Sequence, residues 1–242
     1  MKKTECLFCK KKNIIKKNFI FKTIYNKKLF FQNNCSNCKI SYIAPTPTSD
    51  DINKIYSYKS YYKKYYLIEN SINDNFSYFF QYVQKYLKLD NRILDYGCGD
   101  GNLIRFFENK GFNIFGADFE SEMIQILKNN KIKVFDFQEL DRKISSFDIV
   151  LMRDVFEHST NPINLINSIC SILDKHGILI IDGPLEKNLS LTNIAIKINT
   201  LIKYYFLKII IEQPPYHLTF FSNRQLINFV ESTNKFSVVK YK

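Results

Sequence analysis

Residues 92–101 read RILDYGCGDG, an apolar run followed by glycine at positions 97, 99 and 101. The run reads as a buried strand, and the glycines let a ligand approach the backbone closely. The rest of the chain from residue 76 extends this beginning. A helical stretch, NFSYFFQYVQKYLKL, precedes the strand RILDYG. Helix 100–110, strand FNIFGAD, helix 121–130, strand IKVFDF, strand FDIVLMRD, helix 162–174 and strand GILIIDG follow in turn. Strand and helix in alternation predict an α/β fold, a doubly wound parallel sheet with helices on both faces. Such sheets bind ligands beyond the carboxyl ends of their strands, where the topology switches, and the glycine loop stands at one of those ends.

The residues around the loop narrow the ligand. A dinucleotide fingerprint needs G-x-G-x-x-G, and position 102 is Asn. A P-loop needs Gly-Lys-Ser/Thr, which is absent. Asp95, two residues before Gly97, would repel a pyrophosphate and suits an ammonium or sulfonium group. Asp118, at the end of the second strand, stands where a carboxylate holds ribose hydroxyls. The expected ligand has a ribose and a cationic end.

Taken together, ILDYGCGDG, GAD, VFDFQEL, FDIVLMRDVFEH and HGILIIDGP resemble the class I S-adenosylmethionine-dependent methyltransferases, over roughly residues 76–240. The resemblance implies a Rossmann-like methyltransferase sheet and S-adenosylmethionine as cofactor. It gives Gly97, Cys98 and Gly99 to the cradle of the methionine end, with Asp95 supporting the amino-acid group. Asp118, followed by Phe119, would meet the ribose. Asp136 and Phe137 would edge the adenine, and Arg153 would offer its backbone to the ligand's amino group. Read from the residues alone, Cys98 is a packing residue between glycines, Cys170 falls on the buried face of a helix, and Asp136 suits a solvated turn equally well. His176 stands where the family usually has a second Gly and reads as a turn residue. The chain ends soon after FSVVKYK, without the usual last strand.

The N-terminal part has a different character. Net charge is +12, and residues 1–40, with eleven Lys and one Glu, hold +10 of it. Cys6-x-x-Cys9 and Cys35-x-x-Cys38 supply four thiolates, enough to close a tetrahedral Zn²⁺ site with no open position. Between them, NFIFKTIYNKKLFFQN alternates apolar and polar residues around Asn26 and predicts a hairpin. So small a module has little core, and structural zinc would supply the missing stability, leaving a charge of about +8. The two knuckles, the P-x-P at 45–47 and the tyrosine-rich stretch before the glycine loop resemble a zinc-ribbon-bearing subgroup, which often acts on sugars or other small metabolites in surface-polysaccharide pathways. The sequence divides as a zinc ribbon over 1–48, a connector over 49–75 and a methyltransferase domain over 76–242. Within the connector, Ser49, Asp50 and Asp51 mark a helix start. Tyr56, Tyr58, Tyr61, Tyr62, Tyr65 and Tyr66 alternate with Lys, a pattern that suits rings packed on the next domain better than rings stacked on bases.

Methyl transfer to a hydroxyl needs alignment and gains from a base. The catalytic candidates are His158 in RDVFEHST, His217 in EQPPYHLTFFS, and Asp154, with Glu157 beside them. QPPY at 213–216 follows the fifth strand, so it reads as a turn into His217 and not as the Asn-Pro-Pro-Tyr of amino-methylating nucleic-acid enzymes. An insertion over 186–216 places Ile194, Ile198, Leu201, Ile202, Tyr205 and Ile209 on one helical face, opposite Lys197, Tyr204 and Lys208. It reads as a lid over the acceptor pocket, and its lysines argue against a membrane span. The opening MKKTECLFCKKK has no apolar run, so a cytoplasmic location is expected. The leading functional expectation is methylation of a small hydroxylated acceptor, such as a nucleotide-linked sugar whose diphosphate the basic ribbon could meet. The rivals are an RNA methyltransferase that grips RNA with the ribbon, and a non-catalytic binding module on the same fold.

Overall fold

The structure, a computed structural model, describes residues 3–62, 72–185, 187, 194–195, 198–199, 201–202 and 211–239. The chain forms two compact units. The first comprises Met1–Asp51, Phe156–Ile166 and Pro184–Lys242, and the second comprises Ile52–Val155 and Asn167–Gly183.

The first unit begins with β1 (Lys3–Glu5), β2 (Lys12–Tyr25), β3 (Lys28–Cys35) and β4 (Ser41–Ala44). The hairpin expected around Asn26 is there. Tyr25 pairs with Lys28 across Asn26 and Lys27, both at positive φ (48° and 61°), as a two-residue turn matched to strand twist requires. Helix α1 (Ser49–Ile55) starts at the expected position. Thr48 Oγ1 accepts from the Asp51 amide at 3.3 Å, while the Asp51 carboxylate accepts from the Thr48 amide at 3.0 Å. Lys28 Nζ closes on the same carboxylate at 2.7 and 2.9 Å and holds it well below the usual carboxylate range.

The second unit opens with a π-turn at Tyr58–Tyr62 and helix α2 (Ile72–Val83). Then come β5 (Arg92–Tyr96), α3 (Asn102–Glu108), β6 (Asn113–Asp118), α4 (Ser121–Asn129), β7 (Val134–Asp136), α5 (Phe137–Asp141) and β8 (Phe147–Arg153). Helix α6 (Pro162–Ile172) leads into β9 (Leu173–Asp182). The sheet order is β7-β6-β5-β8-β9, parallel throughout. The chain therefore winds outward from β5 to β7, then returns to the other side through β8 and β9. The switch falls between β5 and β8, and the glycine loop follows β5. Leu94, Val150 and Leu151 are fully buried, as strands covered on both faces demand.

Three expectations are revised. The fifth strand starts earlier than GILIIDG: Leu173 already pairs with Phe147, an irregularity follows, and exposed His176 lies in that strand and not in a turn. Cys170 is half-buried, beside the stripe of Ile166, Ile169 and Ile172 that faces inward. The compact units also differ from the contiguous segments 1–48, 49–75 and 76–242. Residues 156–166 and 184–242 fold with the N-terminal strands. β10 (Ile211–Glu212) joins β2 in parallel, and β11 (Thr219–Phe220) joins β4 antiparallel, completing a six-stranded sheet. Helix α7 (Asn223–Ser232) follows, and Phe8 packs edge-on to its Phe229 at 5.1 Å. Residues 236–239 form no strand, so the parallel sheet ends at β9 among the described residues.

Of the expected lid, Ile194, Ile198, Leu201 and Ile202 are helical and exposed. Lys197, Tyr204, Tyr205, Lys208 and Ile209 lie outside the described residues, as do Tyr65 and Tyr66 of the connector. No described helix is long and apolar enough to cross a membrane.

Candidate functional site

In the second unit, the loop after β5 is built from positive-φ glycines: Gly97 at 78°, Gly99 at 56° and Gly101 at 73°. A Cβ on Gly97 would stand 2.5 Å from Val155 Cγ2, so both conformation and space call for glycine there. The Gly97 and Cys98 amides both donate to the Ala117 carbonyl, at 2.8 and 3.0 Å, which ties the loop to the end of β6. Asp118 completes the tie. Its Oδ2 accepts from the Gly99 amide at 2.9 Å, and its Oδ1 accepts from the amides of Phe119 and Glu120 and from the Tyr62 hydroxyl at 3.1 Å. Burial nevertheless pushes its carboxyl up.

Asp95 is also buried. Desolvation first, and then the neighbouring Asp118, push its carboxyl up to about 7, against a smaller opposing pull from Arg153. Two buried acids beside a glycine loop suit a ligand carrying positive charge and hydroxyls, and they disfavour a pyrophosphate. The residues present therefore fit the methionine and ribose ends of S-adenosylmethionine. Cys98 is buried with its thiol pushed well up, and its Sγ lies 2.7 Å from where a Cβ on Gly116 would be, which makes it a packing residue.

Around this loop four aromatic rings gather. Tyr96 stacks on Phe137 at 4.8 Å and 14°, Phe119 stands 6.4 Å from Phe137, and Tyr56 meets Phe119 edge-on at 6.1 Å. Asp136 caps α5: its Oδ1 accepts from the Glu139 amide at 2.7 Å, and Glu139 Oε2 accepts from the Asp136 amide at 3.1 Å. Arg153 lays its guanidinium over Phe76 and Phe79 at 5.2 and 5.4 Å, and its Nε stands 3.3 Å from Asp182. Asp154, just past β8, holds a positive φ of 52° and an exposed side chain. Such backbone at a strand's carboxyl end is a mark of functional segments.

Tyr62 and Tyr96 were not among the residues expected at the site. The tyrosine run signalled packing, and Tyr56 and Tyr62 are indeed buried. Only the fold shows that one of these hydroxyls, that of Tyr62, reaches Asp118. Tyr96 could have been found as the aromatic residue between the acid and the first glycine.

In the first unit, the cysteines of the two C-x-x-C pairs converge. Cys6 Sγ and Cys38 Sγ stand 3.7 Å apart, Cys9 Sγ and Cys35 Sγ 3.8 Å apart, and all four sulfurs lie within 4.8 Å of one another. A tetrahedral ion with metal–sulfur bonds of about 2.3 Å sets that edge at about 3.8 Å. The two knuckles repeat one design. Lys10 and Lys39 both take positive φ and donate back to the carbonyls of Cys6 and Cys35 at 3.1 Å. The Phe8 amide points at Cys6 Sγ at 3.4 Å, as a thiolate ligand favours. The cluster fits zinc.

The same unit holds a second cluster. Glu157 and His158 sit in a single turn, Phe156–His158, whose Phe156 is buried against Phe221 and Phe229. The His158 and His217 ring centres are 5.0 Å apart. His158 Nδ1 is 2.7 Å from the Tyr216 carbonyl, and burial lowers the ring's pKa to about 4. The ring is neutral near pH 7 and a weak proton acceptor, which reduces its value as the base.

A family model described as a methyltransferase domain matches residues 63–239. The ubiquinone biosynthesis O-methyltransferase of Colwellia psychrerythraea is 28% identical over 151 residues, 59% of this chain and 59% of that protein. Human EEF1A lysine methyltransferase 2 is 35% identical over 98 residues, 36% of this chain and 42% of that protein. This chain thus spans between 42% and 59% of the length of these two curated relatives. Among solved structures, a protein from Pyrococcus horikoshii is similar with a TM-score of 0.51 at 14% identity, covering 72% of this chain and 87% of that one. A SAM-dependent methyltransferase from Methanosarcina mazei gives 0.50 at 17%, covering 63% and 82%. At these identities the structures bear on the fold, and the sheet order, the glycine loop and the acidic strand ends agree with it. With the family model covering most of its length, the chain belongs to the methyltransferase-domain family.

Proposed function

We propose that this protein is an S-adenosylmethionine-dependent methyltransferase that acts on a hydroxyl of a small molecule. The observation that carries this reading is the pair of buried acids, Asp95 and Asp118, at the ends of adjacent strands around a positive-φ glycine loop. When bound, the cofactor supplies an electrophilic methyl group on a sulfonium. Asp95 accepts from its ammonium, helped by the backbone near Arg153. Asp118, held by Tyr62 and the Gly99 amide, accepts from the ribose hydroxyls. Phe119, Phe137 and Tyr96 flank the adenine, with Asp136 at its edge. Asp154 is left in the second unit for the acceptor, whose proton must leave as its oxygen attacks; His158 and His217 belong to the first unit. The name of the Colwellia relative, an O-methyltransferase, supports a hydroxyl acceptor. The basic ribbon, with zinc on Cys6, Cys9, Cys35 and Cys38, suits an acceptor bearing a diphosphate, such as a nucleotide-linked sugar. Tyr56, Tyr58, Tyr61 and Tyr62 pack inward, which weighs against stacking on RNA bases.

The test is label transfer from methyl-labelled S-adenosylmethionine into a cell extract separated into small-molecule, RNA and protein fractions. Label in the small-molecule fraction, lost in Asp118→Ala, is the expected result. Label in RNA or in protein overturns the acceptor assignment, and failure to bind S-adenosylmethionine overturns the activity.

A further inference from the structure

We infer that the Arg153 side chain holds the carboxylate of the cofactor's methionine end, and so lets the site select S-adenosylmethionine over cationic relatives that lack this group. The inference rests on the methyltransferase reading and concerns the second unit alone. It starts from the pleat of the sheet. In a parallel pair, residues opposite one another point to the same face, and so do residues two apart along a strand. Leu151 pairs with Asp95 on one side and Ile180 on the other, and Arg153 pairs with Asp182. Gly116 pairs with Asp95, and Asp118 lies two residues beyond it. Asp118, Asp95, Arg153 and Asp182 therefore share one face, toward the carboxyl ends of the adjacent strands β6, β5, β8 and β9.

Such a row is acidic, and acids alone would turn a carboxylate away. The methionine end carries its carboxylate on the same carbon as its ammonium. A site that takes the ammonium on Asp95 must therefore also meet the carboxylate. Arg153 is the basic residue of the row, and its charge is near enough to Asp95 to oppose the upward push of burial on that carboxyl. The guanidinium lies over the Phe76 and Phe79 rings at 5.2 and 5.4 Å. That contact uses the positive charge and occupies none of its N–H donors.

The donors themselves point to a ligand. Arg153 Nε is buried and meets no hydrogen-bond acceptor among the described residues. Asp182 Oδ2, at 3.3 Å, is too poorly aligned to accept from it, and Asp154 Oδ2 stands farther off at 3.9 Å. Both acids are about half exposed, so water screens their hold on the guanidinium. A buried N–H without an acceptor is uncommon and costly. A carboxylate ligand removes that cost, because a guanidinium presents a planar fork of donors matched to two carboxylate oxygens.

Calorimetric titration of the full chain with S-adenosylmethionine and with its decarboxylated analogue tests this without using activity. The analogue keeps the sulfonium and the ammonium and lacks only the carboxylate. Charge alone would make the acidic row favour the analogue, which is the more positive of the two. The wild-type protein should nevertheless bind S-adenosylmethionine more tightly. Arg153→Met should weaken that binding roughly tenfold to hundredfold and leave the analogue unweakened, which reverses the preference. Arg153→Lys keeps the charge without the fork and should restore part of it. Equal binding of the two ligands by the wild-type protein overturns the inference, and decides even if a variant fails to fold. An equal loss for both ligands in Arg153→Met also overturns it, and makes Arg153 a packing residue of Phe76 and Phe79. If the wild-type protein binds neither ligand, the methyltransferase reading falls and this inference with it. If it binds both equally, that reading stands and only the role of Arg153 falls.

Discussion

Asp95 sits where the fold resists its ionisation and the proposed ligand demands it. In the unfolded chain its carboxyl titrates near 3.9. In the folded chain it titrates at about 7, because it is buried and faces Asp118. The sign follows directly. A raised acid makes the folded state lose stability as pH climbs from about 4 to about 7, after which the cost is constant. A bound ammonium reverses this by favouring the carboxylate. Affinity for S-adenosylmethionine should therefore rise as pH passes upward through 7 and level off above, while Asp95→Asn should flatten that profile and weaken binding roughly tenfold or more. The same variant should make the ligand-free protein no less stable at pH 8. Calorimetric titrations from pH 6 to 8, with denaturant melts alongside, read both effects. Binding that is independent of pH would remove Asp95 from the cofactor site. Gly97→Ala should be worse for the fold, because it combines left-handed strain of about 1–2 kcal/mol with a Cβ 2.5 Å from Val155. Both residues were legible in the sequence, since glycine spacing and an acid at a strand end are local signals. Tyr62 was not: its bond to Asp118 joins residues 56 positions apart, and only tertiary packing brings them together. Tyr62→Phe should cost about 0.5–1.5 kcal/mol of stability, measured by the same melts.

The turn into α1 shows how a local signal acquires a distant partner. The start of this helix was readable from Ser49, Asp50 and Asp51, because acids and hydroxyls satisfy free amides at a helix N-terminus. The hairpin around Asn26 was readable from alternation. The contact between the two elements, Lys28 on the buried Asp51 carboxylate at 2.7 Å, was not. Because the folded Asp51 titrates below its unfolded value, its stabilisation is fully present above about pH 4 and is lost as pH falls below that. Asp51→Asn should lower stability by about 1–3 kcal/mol at pH 7 and by less at pH 3, because the contribution fades only as pH falls toward the lowered folded-state value. Denaturant melts at the two pH values check this, and an equal loss at both would show that packing, and not charge, holds the turn. The parallel sheet was legible strand by strand because its helices and strands alternate. β10 and β11 were not, since two-residue strands carry no periodicity of their own and form only where β2 and β4 offer edges.

That pairing changes what the N-terminal strands do for the molecule. Read along the sequence, residues 1–48 are an appendage. In the fold they supply four strands of a six-stranded sheet that also holds β10, β11 and the turn bearing Glu157 and His158. The two N-terminal knuckles depend on whatever closes their cysteines, and a closed tetrahedral ion contributes folding free energy directly. The parallel sheet is different, with a continuous core of Ile93, Ile104, Phe107, Ile114, Leu127 and Ile149 that needs no metal. Removing zinc should therefore loosen the chain selectively. Amide hydrogen exchange after chelation should accelerate over 3–44 and 211–232, while β5, β6 and β8 stay protected. Because the proposed cofactor residues lie in the protected unit, S-adenosylmethionine should still bind after chelation. Uniform acceleration across both units would mean that the parallel sheet depends on the ribbon for its own stability. Unchanged exchange over 3–44 would mean that the strands hold without a metal, and the four cysteines would need another explanation.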